Sequence, residues 1–319
     1  MIITVTLNAA IDKSLSVPSF RLGRRHRTVE RRALAGGKGV NIARMLKTLG
    51  QPVIATGFQG GPTGTQIVAQ LSEESILHDF VRIREESRTN TSVLDPTTGE
   101  QTEINEQGPR IEHDEVEQFR EKLLYLARGA AIVVFAGSLP RGIEPDFYAQ
   151  LVREMRKLDV MTVVDTDGEP LRHAVRAEPD VVSPNVVEAE ELVGHEFNDD
   201  SDRAGAVHEI VSLGARSAIM TMPDGCFAQV LADGAPRVYR VTVPPRHPVA
   251  TVGSGDAFLA GYVAGHYRGS TPAECLRFGV ACGAESTGRL GAGLIDVREI
   301  DRLLADVAAS EVELPAGVG

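Results

Sequence analysis

The sequence predicts an α/β fold in which a mostly parallel central sheet carries helices on both faces. Short β-branched runs alternate along the chain with longer helical patterns, and several of the helical patterns end at a glycine. Repeated strand–helix–strand order is typical of a parallel sheet covered on both sides. In such sheets ligands bind at the carboxyl ends of the strands, so polar residues there are the first candidates for function.

The individual elements follow from these runs in chain order. The predicted strands cover residues 2–8, 53–58, 131–137, 161–165, 180–185 and 217–222. The predicted helices cover residues 38–50, 115–129, 145–159 and 201–214, and a further apolar helix is expected after the glycine-rich stretch 251–261. The tail, 310–319, is expected to be frayed.

Two segments interrupt this alternation. Residues 13–34 are rich in arginine and carry little helical pattern, and residues 87–107 predict a hairpin around the turn DPTTGE. Together they predict a small sheet set apart from the main one, as a lid or as a dimer contact; the alternative is two ordinary surface excursions. Since no repeat or clear linker is present, residues 1–319 are expected to form a single domain.

Composition and charge exclude several classes of protein. The formal net charge of −11 disfavours a general nucleic-acid binder. No apolar run approaches the roughly 20 residues of a membrane span, and the first residues do not resemble a signal peptide. Cys226, Cys275 and Cys282 lack CxxC spacing, which favours reduced thiols in a cytoplasmic protein.

The stretch TVGSGDAFLAG (251–261) predicts a glycine turn that leads into a helix. A helix start presents unpaired N–H groups and the positive end of its dipole, which together favour an anion. Asp256 follows this turn, where a carboxylate is unexpected unless it takes part in chemistry. The alternative is a glycine turn followed by an aspartate helix cap.

A second glycine turn, AGGKGVNIAR (35–44), carries Lys38 at a predicted helix start. It is neither a Walker A loop nor a Rossmann GxGxxG motif, and neither pattern occurs elsewhere in the chain. A lysine and a carboxylate at two anion-binding turns suggest a phosphate held at one turn and a proton removed at the other.

Polar residues also follow several predicted strands. Asp12 lies just beyond the first strand, where its carboxylate is placed to accept hydrogen bonds from sugar hydroxyls, and Ser138 and Asp165 follow later strands. Asn185 and Glu188 share one face of a helix start and offer the oxygen ligands that Mg²⁺ prefers. Each has a simpler interpretation as a turn or first-turn acidic residue.

The set NAAID, GGKGVN, GSLPRG, DTDGE, PNxxE and TVGSGD, in this order, resembles the ribokinase-like sugar kinases, and within them the phosphosugar branch called pfkB. That branch includes 1-phosphofructokinases, tagatose-6-phosphate kinases and a minor type of 6-phosphofructokinase. The resemblance covers nearly the whole chain. It implies a ribokinase-like three-layer sandwich with a mostly parallel central sheet and a small β lid.

The resemblance also implies roles for individual residues. Asp256 would be the catalytic base, beside an anion hole formed by Gly253, Ser254 and Gly255. Contacts to the sugar and to the phosphate it already carries would come from Asp12, Gly37, Lys38, Asn41, Arg88, Arg27 and Ser138. The nucleotide would contact Asn185, Thr221, Gly225 and Thr251, with Asn185 and Glu188 organising Mg²⁺.

Some positions depart from the family pattern. Ser254 replaces a more usual alanine, Ser183 replaces a common lysine, and IMTMPDG (219–225) differs from the usual nucleotide-binding sequence. Glu103 stands where the 6-phosphofructokinase type carries an arginine, which favours the other two phosphosugar substrates.

The resulting hypothesis is an ATP- and Mg²⁺-dependent kinase of a ketohexose monophosphate that forms a homodimer through its β lid. Fructose 1-phosphate is the first choice of substrate, with tagatose 6-phosphate close behind and fructose 6-phosphate third. A non-catalytic sugar-phosphate sensor and a kinase of unphosphorylated sugars or nucleosides remain as alternatives.

Overall fold

The computed structural model describes residues 1–245, 251–289 and 291–314. The strands are β1 (Ile2–Thr6), β2 (Ala10–Ser16), β3 (Glu30–Gly36), β4 (Val53–Gly60), β5 (Leu77–Ile83), β6 (Arg88–Leu94), β7 (Gln101–Asn105), β8 (Ile132–Ala136), β9 (Met161–Asp165), β10 (Val181–Val182), β11 (Ala218–Met222), β12 (Gly225–Ala232), β13 (Ala235–Thr242) and β14 (Ala308–Val312). The helices are α1 (Lys38–Thr48), α2 (Gly61–Glu73), α3 (His113–Ala127), α4 (Phe147–Lys157), α5 (Gly168–Val175), α6 (Val186–Val193), α7 (Asp200–Ser212), α8 (Ser254–Tyr267), α9 (Pro272–Ser286) and α10 (Val297–Leu304).

The main sheet has ten strands in the order β14-β13-β12-β11-β10-β9-β8-β1-β4-β5. The strands from β11 to β5 in this order pair in parallel, whereas β12, β13 and β14 add an antiparallel edge. The prediction of a mostly parallel sheet is therefore confirmed. The sequence analysis did not predict the antiparallel edge, and β14 shows that the expectation of a frayed tail was wrong for residues up to 312; residues 315–319 lie outside the described part.

Two separate apolar cores pack against the two faces of the main sheet. One core contains residues of α1, α2, α8, α9 and α10, and the other contains residues of α3 to α7. Successive side chains of a strand point to opposite faces, so Ile2 joins the first core and Ile3 joins the second. This arrangement is the three-layer sandwich that the sequence predicts.

The predicted elements appear with shifted ends. The segment expected as a strand at 180–185 keeps only Val181–Val182, because Pro184 cannot donate to a ladder and the Asn185 side chain caps α6. The helix expected at 115–129 begins two residues earlier, at His113, where Glu112 and Glu115 form a reciprocal cap.

A second, four-stranded sheet, the lid sheet, has the order β3-β2-β6-β7. The hairpin β6–β7 turns at residues 95–100 as predicted, and β2 pairs with β6 in parallel. Buried Asp95 accepts hydrogen bonds from the backbone N–H groups of Ser19, Phe20 and Thr97. This carboxylate ties the arginine-rich connection between β2 and β3 to the hairpin turn.

Candidate active site

A cavity of about 380 Å³ lies between the lid sheet and the carboxyl edge of the main sheet. Its walls come from the segment after β1, the start of α1, the inner side of β2, β6 and β7, the segment after β8 and the turn that precedes α8. Of the residues predicted from sequence, the structure brings eight to this cavity: Asp12, Gly37, Lys38, Asn41, Arg88, Ser138, Gly253 and Asp256.

The turn before α8 is built on Gly253. This residue has φ of 84°, and a Cβ there would lie 2.8 Å from the Cβ of Ala292. Both the left-handed backbone and the close packing favour glycine. Ser254 and Gly255 form the first turn of α8, whose N–H groups lack intrahelical partners, as at any helix start. The N–H of Ser254 donates to Thr251 O at 3.2 Å, outside the helix. An anion at this end of the cavity would be stabilised by these groups and by the helix dipole.

Asp256 is the buried carboxylate of the site, with 5% of its surface exposed. Its Oδ2 accepts a hydrogen bond of 2.9 Å from Nδ2 of Asn41. Burial raises the pKa of Asp256 to about 7, and the nearby carboxylates of Asp165 and Asp12 act in the same direction. Lys38 and the Asn41 hydrogen bond oppose this rise. A carboxyl group that titrates near neutrality suits a general base.

Lys38 lies between acidic groups on both sides. Its Nζ donates to Oδ1 of buried Asp165 at 2.8 Å. Burial alone would lower the pKa of Lys38, but the carboxylates of Asp165, Asp256 and Glu188 together raise it, so the ammonium stays charged. Lys38 therefore links the surroundings of Asp256 to those of Glu188. The sequence placed Asp165 only at a strand end and did not predict this ion pair.

Asp12 and its partner Asn90 face each other across the parallel pair β2–β6. Nδ2 of Asn90 donates to Oδ1 of Asp12 at 2.9 Å, while Oδ1 of Asn90 is buried without a protein partner among the described residues. Burial raises the pKa of Asp12, and Asn90 and Arg88 oppose this. Asn90 lines the cavity but was missed from the sequence, because the pairing of β2 with β6 has no local signal.

Glycine is required beside Asp12 by close packing. A Cβ on Gly36 would lie 1.9 Å from Oδ2 of Asp12, and a Cβ on Gly37 would lie 2.7 Å from Cγ2 of Thr6. Gly37 also has φ of 100° and precedes the first residue of α1. These two positions let the start of α1 pack against β1 and β2.

Arg88 and Asn8 form the wall beneath the lid sheet. Arg88 donates from Nε to the backbone oxygen of Asn8 at 3.1 Å and from Nη1 to that of Glu106 at 3.0 Å. Asn8 donates from Nδ2 to Gln107 O at 3.1 Å and to Ser138 Oγ at 3.3 Å. Asn8 was missed from the sequence, although its place just after β1 is the kind of position that holds ligands.

The predicted nucleotide and metal residues lie further along the carboxyl edge and do not line the cavity. Asn185 and Glu188 cap the start of α6 reciprocally: Asn185 Oδ1 accepts from Glu188 N at 3.0 Å, and Glu188 Oε2 accepts from Asn185 N at 2.9 Å. Thr221 N donates to Pro184 O, which places the end of β11 beside Asn185. Thr251 is exposed near the α8 turn.

Gly225 has a structural reason to be glycine. It opens β12 with φ of 140°, and a Cβ there would lie 1.9 Å from Val241 O. Its predicted nucleotide contact stays a prediction.

The donor set at α6 fits a loosely held Mg²⁺. Within the described ranges no group of three or more His, Cys, Asp or Glu side chains forms a metal cluster. Mg²⁺ keeps several waters and is bound through one or two carboxylates together with substrate phosphates, so a preformed protein cage is not needed. Burial raises the pKa of Glu188 and Lys38 opposes this. One oxygen of Glu188 is used in the cap, which leaves the other for a cation or its waters.

Arg27, which is predicted to be a phosphate ligand, does not line the cavity of its own chain, so this role stays a prediction. It lies exposed in the connection between β2 and β3. The arginine-rich segment is instead tied to the outer turn of the hairpin through Asp95. Within a single chain, Lys38 and Arg88 are the predicted phosphate ligands that reach the cavity.

With this geometry, the chain was compared with known proteins. A model described as the pfkB family carbohydrate kinase matches residues 5–298. The chain belongs to the pfkB family of carbohydrate kinases. As a member of this family it is a phosphotransferase, for which ATP is the expected phosphoryl donor.

Relatives within the pfkB family match over their whole length. A 1-phosphofructokinase from Borreliella burgdorferi is 31% identical over 98% of this chain and 99% of its own. A tagatose-6-phosphate kinase from Staphylococcus epidermidis is 33% identical over 98% of this chain and 100% of its own. The family predicted from the motifs is thus confirmed.

Solved structures of the family share the fold. Phosphofructokinase-2 from Escherichia coli in complex with potassium is 28% identical, with a TM-score of 0.88 over 95% of this chain and 98% of its own. Arabidopsis thaliana ribokinase, complexed with ribose and ATP, is 21% identical with a TM-score of 0.74 over 95% of this chain and 98% of its own, which shows the common fold.

Two further observations concern the chain as a whole. Cys226, Cys275 and Cys282 are buried free thiols, and burial raises the pKa of each. None of the described helices combines the length and apolar character of a membrane span.

Proposed function

We propose that this pfkB-family kinase transfers the γ-phosphoryl group of ATP to a hydroxyl of a ketohexose monophosphate, with fructose 1-phosphate as the first choice of acceptor. The observation that carries the proposal is buried Asp256, next to the α8 turn and inside a cavity that also holds Lys38 and Arg88. A carboxylate beside an anion-binding turn suits proton removal during phosphoryl transfer.

Asp256 accepts the proton of the attacking hydroxyl while Asn41 holds its Oδ2. The backbone of Gly253, Ser254 and Gly255 donates to the oxygens of the transferring phosphoryl group, where the glycines add no bulk. Phosphoryl transfer depends on positioning and charge stabilisation more than on covalent chemistry, and these groups supply both.

Lys38 stays charged between Asp165, Asp256 and Glu188, which suits contact with a phosphate that approaches from the nucleotide side. Such a contact would be additional to the predicted contact of Lys38 with the phosphate already on the acceptor sugar. Asp165 is the partner that keeps the ammonium in place in the absence of phosphate.

The acceptor's own phosphate is assigned to the wall formed by Arg88, Asn8 and Ser138. The Arg88 guanidinium is fixed there by the backbone oxygens of Asn8 and Glu106. An arginine fork binds two phosphate oxygens at once, which makes it suited to this task. Asp12 and Asn90 accept hydrogen bonds from the sugar hydroxyls.

The wall of the cavity formed by Ser92 of β6 and by Gln101 and Glu103 of β7 favours a neutral part of the sugar. Gln101 donates to Ser92 Oγ at 2.8 Å and to Glu103 Oε1 at 3.1 Å, and Glu103 lines the cavity together with Lys13 of β2. A phosphate next to Glu103 would meet a like charge. Fructose 1-phosphate and tagatose 6-phosphate are preferred over fructose 6-phosphate because Glu103 stands where the 6-phosphofructokinase type carries an arginine. The names of the two relatives support the same preference.

Mg²⁺ is proposed as the metal, organised by Asn185 and Glu188. When bound with ATP it neutralises phosphate charge. Thr221, Gly225 and Thr251 are the proposed nucleotide contacts.

The hypothesis of a non-catalytic sugar-phosphate sensor is disfavoured by membership of a kinase family, and a pure binder gains nothing from burying Asp256 at its anion-binding turn. A kinase of free sugars or nucleosides is disfavoured because a neutral acceptor offers no anion to the Arg88 guanidinium that lines the cavity.

A coupled assay of ADP release over a panel of sugars tests the proposal. The panel contains fructose 1-phosphate, tagatose 6-phosphate, fructose 6-phosphate, free fructose and free tagatose, each with ATP and Mg²⁺. We expect kcat/KM to be highest for one of the first two. Equal turnover of free and phosphorylated sugar would leave only the broader assignment of a carbohydrate kinase.

We also propose a cytoplasmic homodimer that forms through the lid sheet. Strands β3 and β7 are the edges of this sheet, and all of β7 is exposed. Exposed edges invite pairing with another chain. A tetrameric inhibited form is known for phosphofructokinase-2 from Escherichia coli. The buried free thiols are consistent with a reducing compartment.

A further inference from the structure

A buried hydrogen-bond chain leads from the end of α2 to Asp256. Glu74, which follows α2, pairs with Arg44 of α1 through both carboxylate oxygens. Arg44 Nη1 faces Oδ1 of Asn41 at 3.4 Å, and Nδ2 of Asn41 donates to Asp256 at 2.9 Å. Arg44 itself is only 6% exposed, although a side chain of this type is rarely so buried without a reason.

Arg44 also contacts the last part of the lid strand β3. Its Nη2 donates to Ala35 O at 2.8 Å, just before the glycine turn that carries Lys38. Gly293 packs over the same place: a Cβ there would lie 2.8 Å from Arg44 Nη1 and 3.2 Å from Asn41 Oδ1. The guanidinium is therefore held by partners on three sides and cannot turn away from Asn41.

The chemistry of the three groups permits one orientation of the Asn41 amide. A guanidinium has only donors, and an ionised carboxylate has only acceptors. The amide must therefore present its oxygen to Arg44 and its NH₂ group to Asp256. The reverse orientation would set donor against donor and oxygen against carboxylate.

We propose that Arg44 is a positioning residue that fixes the amide of Asn41 and, through it, the carboxylate of Asp256. The proposal rests on the proposed function, in which Asp256 is the base. Without Arg44 the amide can reverse, Asp256 loses its donor for part of the time, and the carboxylate is both less well oriented and harder to ionise.

The first test compares Arg44→Met with wild type and with Arg120→Met. Arg120 is the matched control, because it pairs with Glu154 at 2.9 Å and Gln150 at 2.7 Å between α3 and α4, far from the cavity. We expect both variants to lower Tm, but only Arg44→Met to lower kcat, with KM for ATP little changed. We also expect the acid limb of its kcat/KM profile to move to higher pH by up to about one pH unit, the effect of losing one charged hydrogen bond.

Other charged groups act on Asp256 and must be separated from this effect. They are Lys38 of α1, Asp165 of β9 and Asp12 of β2, and Arg44 itself acts electrostatically on Asp12. The Asn41→Leu variant and the Asn41→Leu, Arg44→Met double variant make this separation. If Arg44 acts through the amide, its removal shifts the pH profile in the wild-type background and not in the Asn41→Leu background. A shift that persists without Asn41 would overturn the proposal, as would an unshifted profile in Arg44→Met.

A second measurement does not depend on catalysis. Titration of the Asp256 carboxyl carbon by NMR in the free protein should show the same upward movement of its pKa in Arg44→Met and none in Arg120→Met. If no sugar is phosphorylated, this titration still decides the role of Arg44, so failure of the two proposals can be told apart.

If Arg44→Met does not fold, Arg44→Lys replaces it. The single ammonium of lysine pairs with Glu74 but cannot also reach Ala35 O and Asn41. We therefore expect a smaller shift of the Asp256 pKa in the same direction, and no shift would overturn the proposal.

Discussion

At the scale of the residue, Asp256 is a carboxyl group whose ionisation the fold resists. It is buried and faces Asp165 and Asp12, whereas Lys38 and the hydrogen bond from Asn41 favour its charged form. The same burial that raises its pKa to about 7 also makes its charge costly to the folded state. Activity and stability should therefore respond to this residue in opposite directions.

Asp256→Asn is expected to lower kcat by ~10²–10⁴, the usual contribution of a positioned base, while sugar-phosphate binding is largely retained. Asn41 can still donate to the new amide oxygen, so the local structure should persist. Steady-state kinetics together with calorimetric titration of the sugar phosphate provide the measurement. A variant that keeps most of its kcat would remove Asp256 from the mechanism.

The difference in unfolding free energy between this variant and the wild type should depend on pH. Because folding raises the pKa of Asp256 to about 7, its contribution to stability is fully present below its unfolded pKa near 4 and is lost as pH rises through about 7. The loss amounts to roughly 2–4 kcal/mol of unfolding free energy. Urea unfolding at pH 5 and pH 8 should show that the unfolding free energy of Asp256→Asn, relative to that of the wild type, is larger at the higher pH. A difference that does not change with pH would contradict this.

Asp165 is predicted to tune this base through Lys38. In Asp165→Asn the ammonium loses its 2.8 Å partner and one negative charge near Asp256 disappears. Both changes favour ionised Asp256, so the acid limb of kcat/KM should move to lower pH. Asp180→Asn is the control. Asp180 precedes β10 and accepts hydrogen bonds from Thr162, at the end of β9 opposite Asp165, so this variant should leave the acid limb in place.

At the scale of the element, the proposed function assigns recognition of the acceptor to the lid sheet and binding of the cation to α6. Strands β2 and β6 align Asp12 with Asn90, and the start of β6 brings Arg88 to the cavity. The cap at the start of α6 presents Asn185 and Glu188 on one face. Each proposed role can therefore be tested by a substitution that leaves the main sheet folded.

Arg88→Ala is expected to lower kcat/KM for the phosphorylated sugar by about 30- to 1,000-fold, with little effect on KM for ATP. This corresponds to roughly 2–4 kcal/mol for one charge-assisted contact and its unpaired partner. Arg27→Ala is the comparison, since Arg27 is exposed and does not line the cavity of its own chain. An equally large loss in Arg27→Ala would indicate that this residue reaches the cavity of a second copy.

Glu188→Gln should raise the Mg²⁺ concentration needed for half-maximal activity while leaving Tm nearly unchanged. Glutamine can still accept the hydrogen bond from Asn185 N that closes the cap, so the helix start is preserved. A titration of activity against Mg²⁺ measures the effect. An unchanged titration would refute the assignment of Glu188 to the metal.

At the scale of the whole molecule, the lid sheet is the surface proposed to pair with a second chain. Its edge strand β7 is exposed throughout, and Ile104 has 63% of its surface exposed. Size-exclusion chromatography with light scattering should show a dimer of the wild type, and Ile104→Glu should shift it toward monomer. Tyr125→Glu is the control, because Tyr125 is a similarly exposed apolar side chain on α3. A wild type that elutes as a monomer would contradict dimerisation.

Much of the fold and part of the site follow from local rules in the sequence. Strand and helix periods, glycine turns and the cap at Asn185 each depend on neighbouring residues, so the α/β class, the small sheet and the positions of Lys38 and Asp256 were predictable. Their common location was also predictable, because parallel strands place their carboxyl ends on one edge.

Only the tertiary structure decided which side chains meet. Asn41 and Asp256 are 215 positions apart in the chain, and Lys38 and Asp165 are 127 apart. The pairing of Asp12 with Asn90 needs β2 to lie parallel to β6, which no local pattern specifies. The exclusion of Arg27 from the cavity and the burial of Arg44 likewise depend on how the connections cross and pack. Local sequence thus determined the elements and their ends, whereas long-range packing determined the partners, the burial and hence the charge of the groups in the site.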